Sequence, residues 1–161
     1  MAHKSVLLDT SFIIRLLKEN DPLFNNANSY FRYFLDRDVR MFLSTISIAE
    51  YCAGGQLQEL PLRNVQVLPF NVDHGQRAGV LARDAFRARN TGILQVESRV
   101  IIPNDTKLFA QADSESAIGC YVSADRESRK VYDALRGLRV LNFEFIDLHV
   151  PISESFGMLD L

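Results

Sequence analysis

The 161-residue sequence holds no apolar run approaching the roughly 18 residues that a membrane-spanning helix needs. Its opening stretch, Met1 to Asp9, is too short in apolar residues for a signal peptide, so the expected location is the cytoplasm. Cysteine is scarce. Cys52 and Cys120 sit beside apolar residues with no partner at metal-ligand spacing, and both read as buried free thiols. The three histidines, His3, His74 and His149, are scattered. No Cys-x-x-Cys, His-x-His or His-Glu-x-x-His exists, which removes the usual grounds for a zinc site. Basic charge is not in excess either: 18 Lys and Arg face 20 Asp and Glu, a net of -2. That argues against a polybasic membrane binder or a basic nucleic-acid coat, though not against nucleic acid as a substrate. Repeats and low-complexity segments are missing too.

What is present suits one folded domain. Hydrophobic residues make up 47% of the chain, enough for a sizeable core. Ser5–Leu8 reads as a short strand, followed by a helical stripe of Phe12, Ile13, Leu16 and Leu17 that ends at Asn20-Asp21-Pro22. Leu23–Leu35 is a second, aromatic-rich helix. Met41–Leu43 is a strand, and Ser44-Thr45 caps a helix running to Gly54-Gly55. Val65–Phe70 is extended, with Pro69 arguing against a central position. Asp73 is the expected cap of a helix reaching about Arg89. Ile93–Ile102 is ambiguous, and Asn104-Asp105 is expected to open the next helix. Then come a strand at Cys120–Val122, a helix over Arg126–Leu135 and a last strand at Phe143–Ile146. Such alternation builds a mostly parallel sheet with helices on both faces. The expected organisation is one α/β domain over residues 1–150 and a weakly patterned tail over 151–161.

Four acids fall at element ends. Asp9 follows the first strand, Glu50 lies in the helix after the second, Asp105 opens a helix, and Asp125 follows the strand at "CYVS". Open α/β sheets bind ligands beyond the carboxyl ends of their strands. Carboxylates gathered there repel, by about 4 kcal/mol for two charges ~4 Å apart at an effective dielectric near 20. Cations relieve that cost, and an all-oxygen set suits Mg2+ or Mn2+. Each residue also has a plainer role open to it. Asp9 and Asp105 could be helix N-caps, Glu50 a boundary residue of an apolar helix, and Asp125 a turn residue. Asp113, two helical turns beyond Asp105, reads as structural, and Glu127 as a first-turn acid.

The words around these acids are "VLLDTSFIIRLL" (Val6–Leu17), "LSTISIAEYCAGG" (Leu43–Gly55), "NDTKLFAQA" (Asn104–Ala112) and "YVSADRE" (Tyr121–Glu127). Together, in this order, they resemble the four acidic motifs of PIN domains, and most closely the VapC-type ribonuclease toxins of toxin–antitoxin pairs. The resemblance implies a Rossmann-like, three-layer PIN fold with Asp9, Glu50, Asp105 and Asp125 binding Mg2+ or Mn2+ at one sheet edge. It implies an endoribonuclease that cuts single-stranded or looped RNA with metal-activated water, a cognate antitoxin and a homodimer. Thr10 or Ser11 would place a hydroxyl near the metal-bound water or the phosphate. Arg126, Arg129 and Lys130, next to the fourth motif, are candidate RNA contacts, although a solvated helix face is the plainer account of such a cluster. The aromatic helix would pack in the core and offer part of its face to an antitoxin helix. The alternatives are a housekeeping PIN nuclease in RNA maturation or decay and a non-catalytic PIN scaffold. The chain departs from many of the toxins in its extra length around Arg89–Val100 and in its tail.

Overall fold

The computed structural model describes residues 5–97 and 100–156. The first four residues, two positions of the Arg89–Val100 excursion and residues 157–161 of the expected tail lie outside the described residues. The elements run β1 (Ser5–Leu8), α1 (Thr10–Leu16), α2 (Phe24–Asp36), β2 (Met41–Ser44), α3 (Thr45–Cys52), a 3-10 turn (Leu57–Glu59), β3 (Val65–Leu68), α4 (Val72–Asn90), α5 (Ile101–Ser114), β4 (Ile118–Ser123), α6 (Arg126–Leu138), β5 (Glu144–Asp147) and α7 (Ile152–Ser155).

The five strands form one parallel sheet in the order β3-β2-β1-β4-β5. Successive side chains alternate between two cores, as the period of a strand requires. Leu7, Tyr121 and Phe145 face one core with Leu81 of α4, Phe109 of α5 and Tyr132 of α6. Val6, Leu8, Val122 and Ile146 face the other with Phe12 of α1 and Tyr30 and Phe34 of α2. The result is the expected three-layer α/β architecture. β3 is an edge strand, which is where Pro69 at its end is tolerated.

The chain leaves β1 toward β2 and β3 on one side and returns to β4 and β5 on the other. The switch point of this doubly wound sheet therefore lies between β1 and β4, and their carboxyl ends open there into a crevice. The backbone closes the two strands just below it: Asp9 N–H donates to the Val122 carbonyl at 3.0 Å.

Several local expectations are corrected. The cap of α4 is Asn71 and not Asp73. Asn71 Oδ1 accepts the His74 N–H, and His74 Nδ1 accepts the Asn71 N–H, a reciprocal box that leaves Asp73 in the first turn. α5 starts at Ile101, because Pro103 is tolerated in a first helical turn, so Asp105 is interior to the helix and caps nothing. β4 begins two residues earlier than expected, at Ile118. Neither cysteine is fully buried: Cys52 is exposed, Cys120 is half-buried, and neither forms a disulfide. Among the described residues no helix is long and apolar enough to cross a membrane.

Candidate active site

Asp9, Glu50, Asp105 and Asp125 line one cavity of about 280 Å3, together with Thr10 and Ser11. Four elements deliver the acids. Asp9 sits at the end of β1, where extended backbone lets it cap α1 through Thr10 N–H to Oδ1 at 2.8 Å. Asp125 caps α6, its Oδ1 accepting the Glu127 and Ser128 N–H groups at 2.9 and 3.3 Å. Glu50 comes from α3, which Ser44 caps at the end of β2. α5 contributes Ile101, Asn104, Asp105 and Leu108, the i, i+3, i+4, i+7 face of that helix. Capping and site lining coincide at Asp9 and Asp125; at Asp105 only the second holds.

Hydroxyls hold two of the acids in place. Asp9 Oδ2 accepts from Ser11 Oγ at 2.7 Å and from Ser123 Oγ at 2.8 Å. Ser11 Oγ accepts the Ala124 N–H, and Ser123 Oγ accepts the Asp125 N–H, so both serines tie β1 to the turn after β4. Thr10 Oγ1 donates to Glu50 Oε2 at 2.8 Å. Ser123 was not among the residues singled out in the sequence, although it stands two positions before Asp125 inside the quoted word "YVSADRE". Asn104 was likewise read only as part of a helix start.

The electrostatics follow from burial and like charge. Asp9 and Asp105 are each only 8% exposed. Burial raises the pKa of Asp9 against the lowering effect of the Ser11 and Ser123 hydroxyls. Burial also raises Glu50, with the Thr10 hydroxyl opposing and the Asp9 charge adding to it. Asp105 is pushed up to about 8, first by burial and then by the charges of Asp9 and Asp125, with the Ser128 hydroxyl opposing and the Glu50 charge adding to it. Its Oδ2 is buried without a hydrogen-bond partner among the described residues.

Among the described residues, no three or more His, Cys, Asp or Glu side chains stand as a ready-made metal cage. The donor chemistry still suits a hard divalent cation: the acids present oxygen only, and the orphaned Asp105 oxygen is a buried acceptor in need of a positive partner.

The candidate RNA contacts lie apart from this cavity's lining. Arg126 is exposed at the start of α6. Arg129 binds Asp133 at 3.1 Å, and its guanidinium lies 5.2 Å from the Phe145 ring centroid. Lys130 pairs with Glu127 at 2.7 Å. Asp113 does not reach the cavity. It binds Arg77 of α4 and accepts the Asn142 N–H at 2.7 Å, which is a structural role.

No protein-family model matches the sequence, and no curated protein matches it. Solved structures do match the fold. A chain of VapBC2 from Rickettsia felis, crystallised with a DNA fragment from their promoter, superposes with a TM-score of 0.57 at 16% identity, covering 88% of this chain and 97% of that one. A chain of DNA-bound VapBC from Salmonella typhimurium gives 0.56 at 18% identity, covering 91% and 99%. A chain of VapBC-1 from nontypeable Haemophilus influenzae gives 0.57 at 19%, covering 90% and 98%. The five-stranded parallel sheet and its flanking helices are an α/β fold shared with these VapBC chains and consistent with the PIN domain that the four sequence motifs resemble.

Proposed function

We propose that the protein is a metal-dependent endoribonuclease and the toxin of a VapBC-type toxin–antitoxin pair. One observation carries the nuclease reading: four acids from four separate elements line a single cavity at the switch point of the sheet. The likeness to VapBC structures over about nine-tenths of the chain supports the toxin role and, with it, an antitoxin partner.

In this reading Asp9, Glu50, Asp105 and Asp125 hold Mg2+ or Mn2+. The ion would supply Lewis-acid activation of water and charge compensation for the phosphodiester. The chain's own groups do the positioning. Ser11, Ser123 and the Thr10 N–H fix the Asp9 carboxylate, and Thr10 Oγ1 fixes Glu50. Both oxygens of Asp9 are thus oriented before substrate arrives, which removes reorganisation from the reaction. The Thr10 and Ser11 hydroxyls are turned toward carboxylates here, so their contribution to RNA cleavage runs through Asp9 and Glu50. Arg126, exposed beside Asp125, is the candidate among the three cations for the RNA backbone.

Asp9→Asn tests the site. Mg2+-dependent cleavage of single-stranded RNA should be abolished, with the circular dichroism spectrum of the wild type retained. Full cleavage by that variant would overturn the assignment. Growth arrest on expression of the wild type, absent with Asp9→Asn, is the corresponding test of the toxin role.

A further inference from the structure

The carboxylate cavity does not stand alone. Ile14 and Glu50 also line a second groove, of about 470 Å3, between the C-terminal ends of α1 and α3. Tyr51 and Gly55 lie on the α3 side of it and Leu17 and Lys18 on the α1 side. That volume falls within the roughly 300–1,000 Å3 of pockets that take small organic groups.

The Tyr51 ring is fixed in place by its surroundings. Its hydroxyl donates to Glu59 Oε2 at 2.8 Å, and Glu59 Oε1 accepts the Gln56 N–H at 2.9 Å. These bonds tie the ring to the 3-10 turn that follows α3. Gly55 approaches so closely that a Cβ there would stand 2.5 Å from the ring's Cε1. Any larger residue at position 55 would push the ring aside. A ring held before anything binds loses little freedom when a flat group stacks on it. Lys18, exposed just beyond α1, brings a cation to the same groove.

Glu50 and Glu59 also line the groove, the Glu59 carboxylate taken up by the Tyr51 hydroxyl and the Gln56 N–H. The half-buried aromatic ring, the apolar Ile14 and Leu17 and the Lys18 ammonium group are the elements that bind one nucleotide of a single strand: the base stacks and the cation meets the phosphate. Ile14 and Glu50 belong to both linings, so the groove adjoins the carboxylate cavity. We infer that this groove is a base subsite, in which the nucleobase next to the scissile phosphate stacks on Tyr51 while Lys18 meets the neighbouring phosphate. The inference rests on the nuclease reading above and names a specificity-determining residue for it.

The test uses fluorescein-labelled single-stranded RNA of random sequence with Mg2+ present. Binding is read by anisotropy in the Asp9→Asn background, and cleavage kinetics in the wild-type background. Tyr51→Ala should raise Kd at least about 10-fold, in line with the loss of one stacked base. It should lower kcat/KM by the same factor, mainly through KM. Tyr51→Phe keeps the ring and should stay within about 3-fold of the parent. Gly55→Ala, which displaces the ring without deleting it, should behave like Tyr51→Ala. Should Tyr51→Ala fail to fold, the contrast between Gly55→Ala and Tyr51→Phe decides. If Asp9→Asn binds no RNA and the wild type cuts none, the nuclease reading falls and the subsite with it. If the parent binds and Tyr51→Ala binds equally well, the subsite alone is overturned. It is likewise overturned if Tyr51→Ala keeps RNA binding but loses a co-expressed protein partner, since the groove would then be a protein-docking surface.

Discussion

Asp105 differs from the other acids in what surrounds it. Asp9 has three donors on its two oxygens, Glu50 has the Thr10 hydroxyl, and Asp125 has two backbone N–H groups. Asp105 Oδ2 has none among the described residues and is buried beside three like charges. The consequence is a pH-dependent stability. Unfolded, the carboxyl titrates near 3.8; folded, near 8. Between those values the native state keeps a proton that the unfolded state has released. Stability of the metal-free protein should therefore fall as pH rises from about 4 to 8. Thermal melts in EDTA across that range check the sign. Asp105→Asn should flatten the profile by raising the melting temperature at pH 8 more than at pH 5, while abolishing cleavage. That Asp105 would matter was legible from the word around it. Its environment was not, because the cap reading assumed that the helix starts at Asn104-Asp105, and Pro103 does not prevent a start at Ile101.

At the scale of elements, α2 and α7 show a helix face whose partner lies far along the chain. The aromatic helix with its stripe of Phe24, Ala27, Tyr30, Phe31 and Phe34 was expected to pack in the core and to offer an apolar face to a partner helix. Of that stripe Ala27, Tyr30 and Phe34 are buried, Tyr33 is buried beside them, and the chain's own tail helps to cover the face. Phe156 stacks on Tyr33 with ring centroids 4.8 Å apart and meets Phe34 edge-on at 6.2 Å. The Tyr30 hydroxyl donates to the Val150 carbonyl at 2.6 Å and is paired with Ser155 Oγ. On α2 the large apolar side chain left exposed is Leu35, at 41%. Phe156→Ala should cost about 1–3 kcal/mol, less than a fully buried aromatic because the site is half open. A melting temperature several degrees lower with unchanged cleavage would fit; loss of cleavage in a folded variant would mean that the tail reaches the site. The periodicity of α2 was plain in the sequence, but a stripe specifies only that something covers it. The covering residue, some 120 positions away, carries no local mark.

At the scale of the whole molecule, the switch point collects charge that the sequence spreads over more than a hundred residues. Asp9 and Asp125 flank the β1–β4 crevice, and the helices after β2 and before β4 add Glu50 and Asp105. A divalent ion that binds only the folded state should raise the melting temperature by mass action. At 100 times its Kd the gain is about 2.7 kcal/mol, several degrees for a chain of this size. Differential scanning fluorimetry with millimolar Mn2+ measures it, and Asp9→Asn should abolish the shift. An unchanged wild-type melt would count against the metal site.

The sequence by itself determined the α/β class, the parallel sheet, the edge position forecast by Pro69 and which four acids to watch, with Asp9 and Asp125 at element ends. These follow from local periodicity, capping chemistry and chain order, which any reader of the chain can count. Only the tertiary structure decided that Asp9 and Asp125 both cap helices and line the cavity, that Ser123 orients Asp9, and that Asp105 keeps an unpartnered oxygen. It likewise decided that Arg129, Lys130 and Asp113 serve internal pairs. Each of these depends on where the carboxyl ends of separate strands meet. That meeting is set by the pairing of β1 with β4, a contact between segments more than a hundred residues apart that no local pattern encodes.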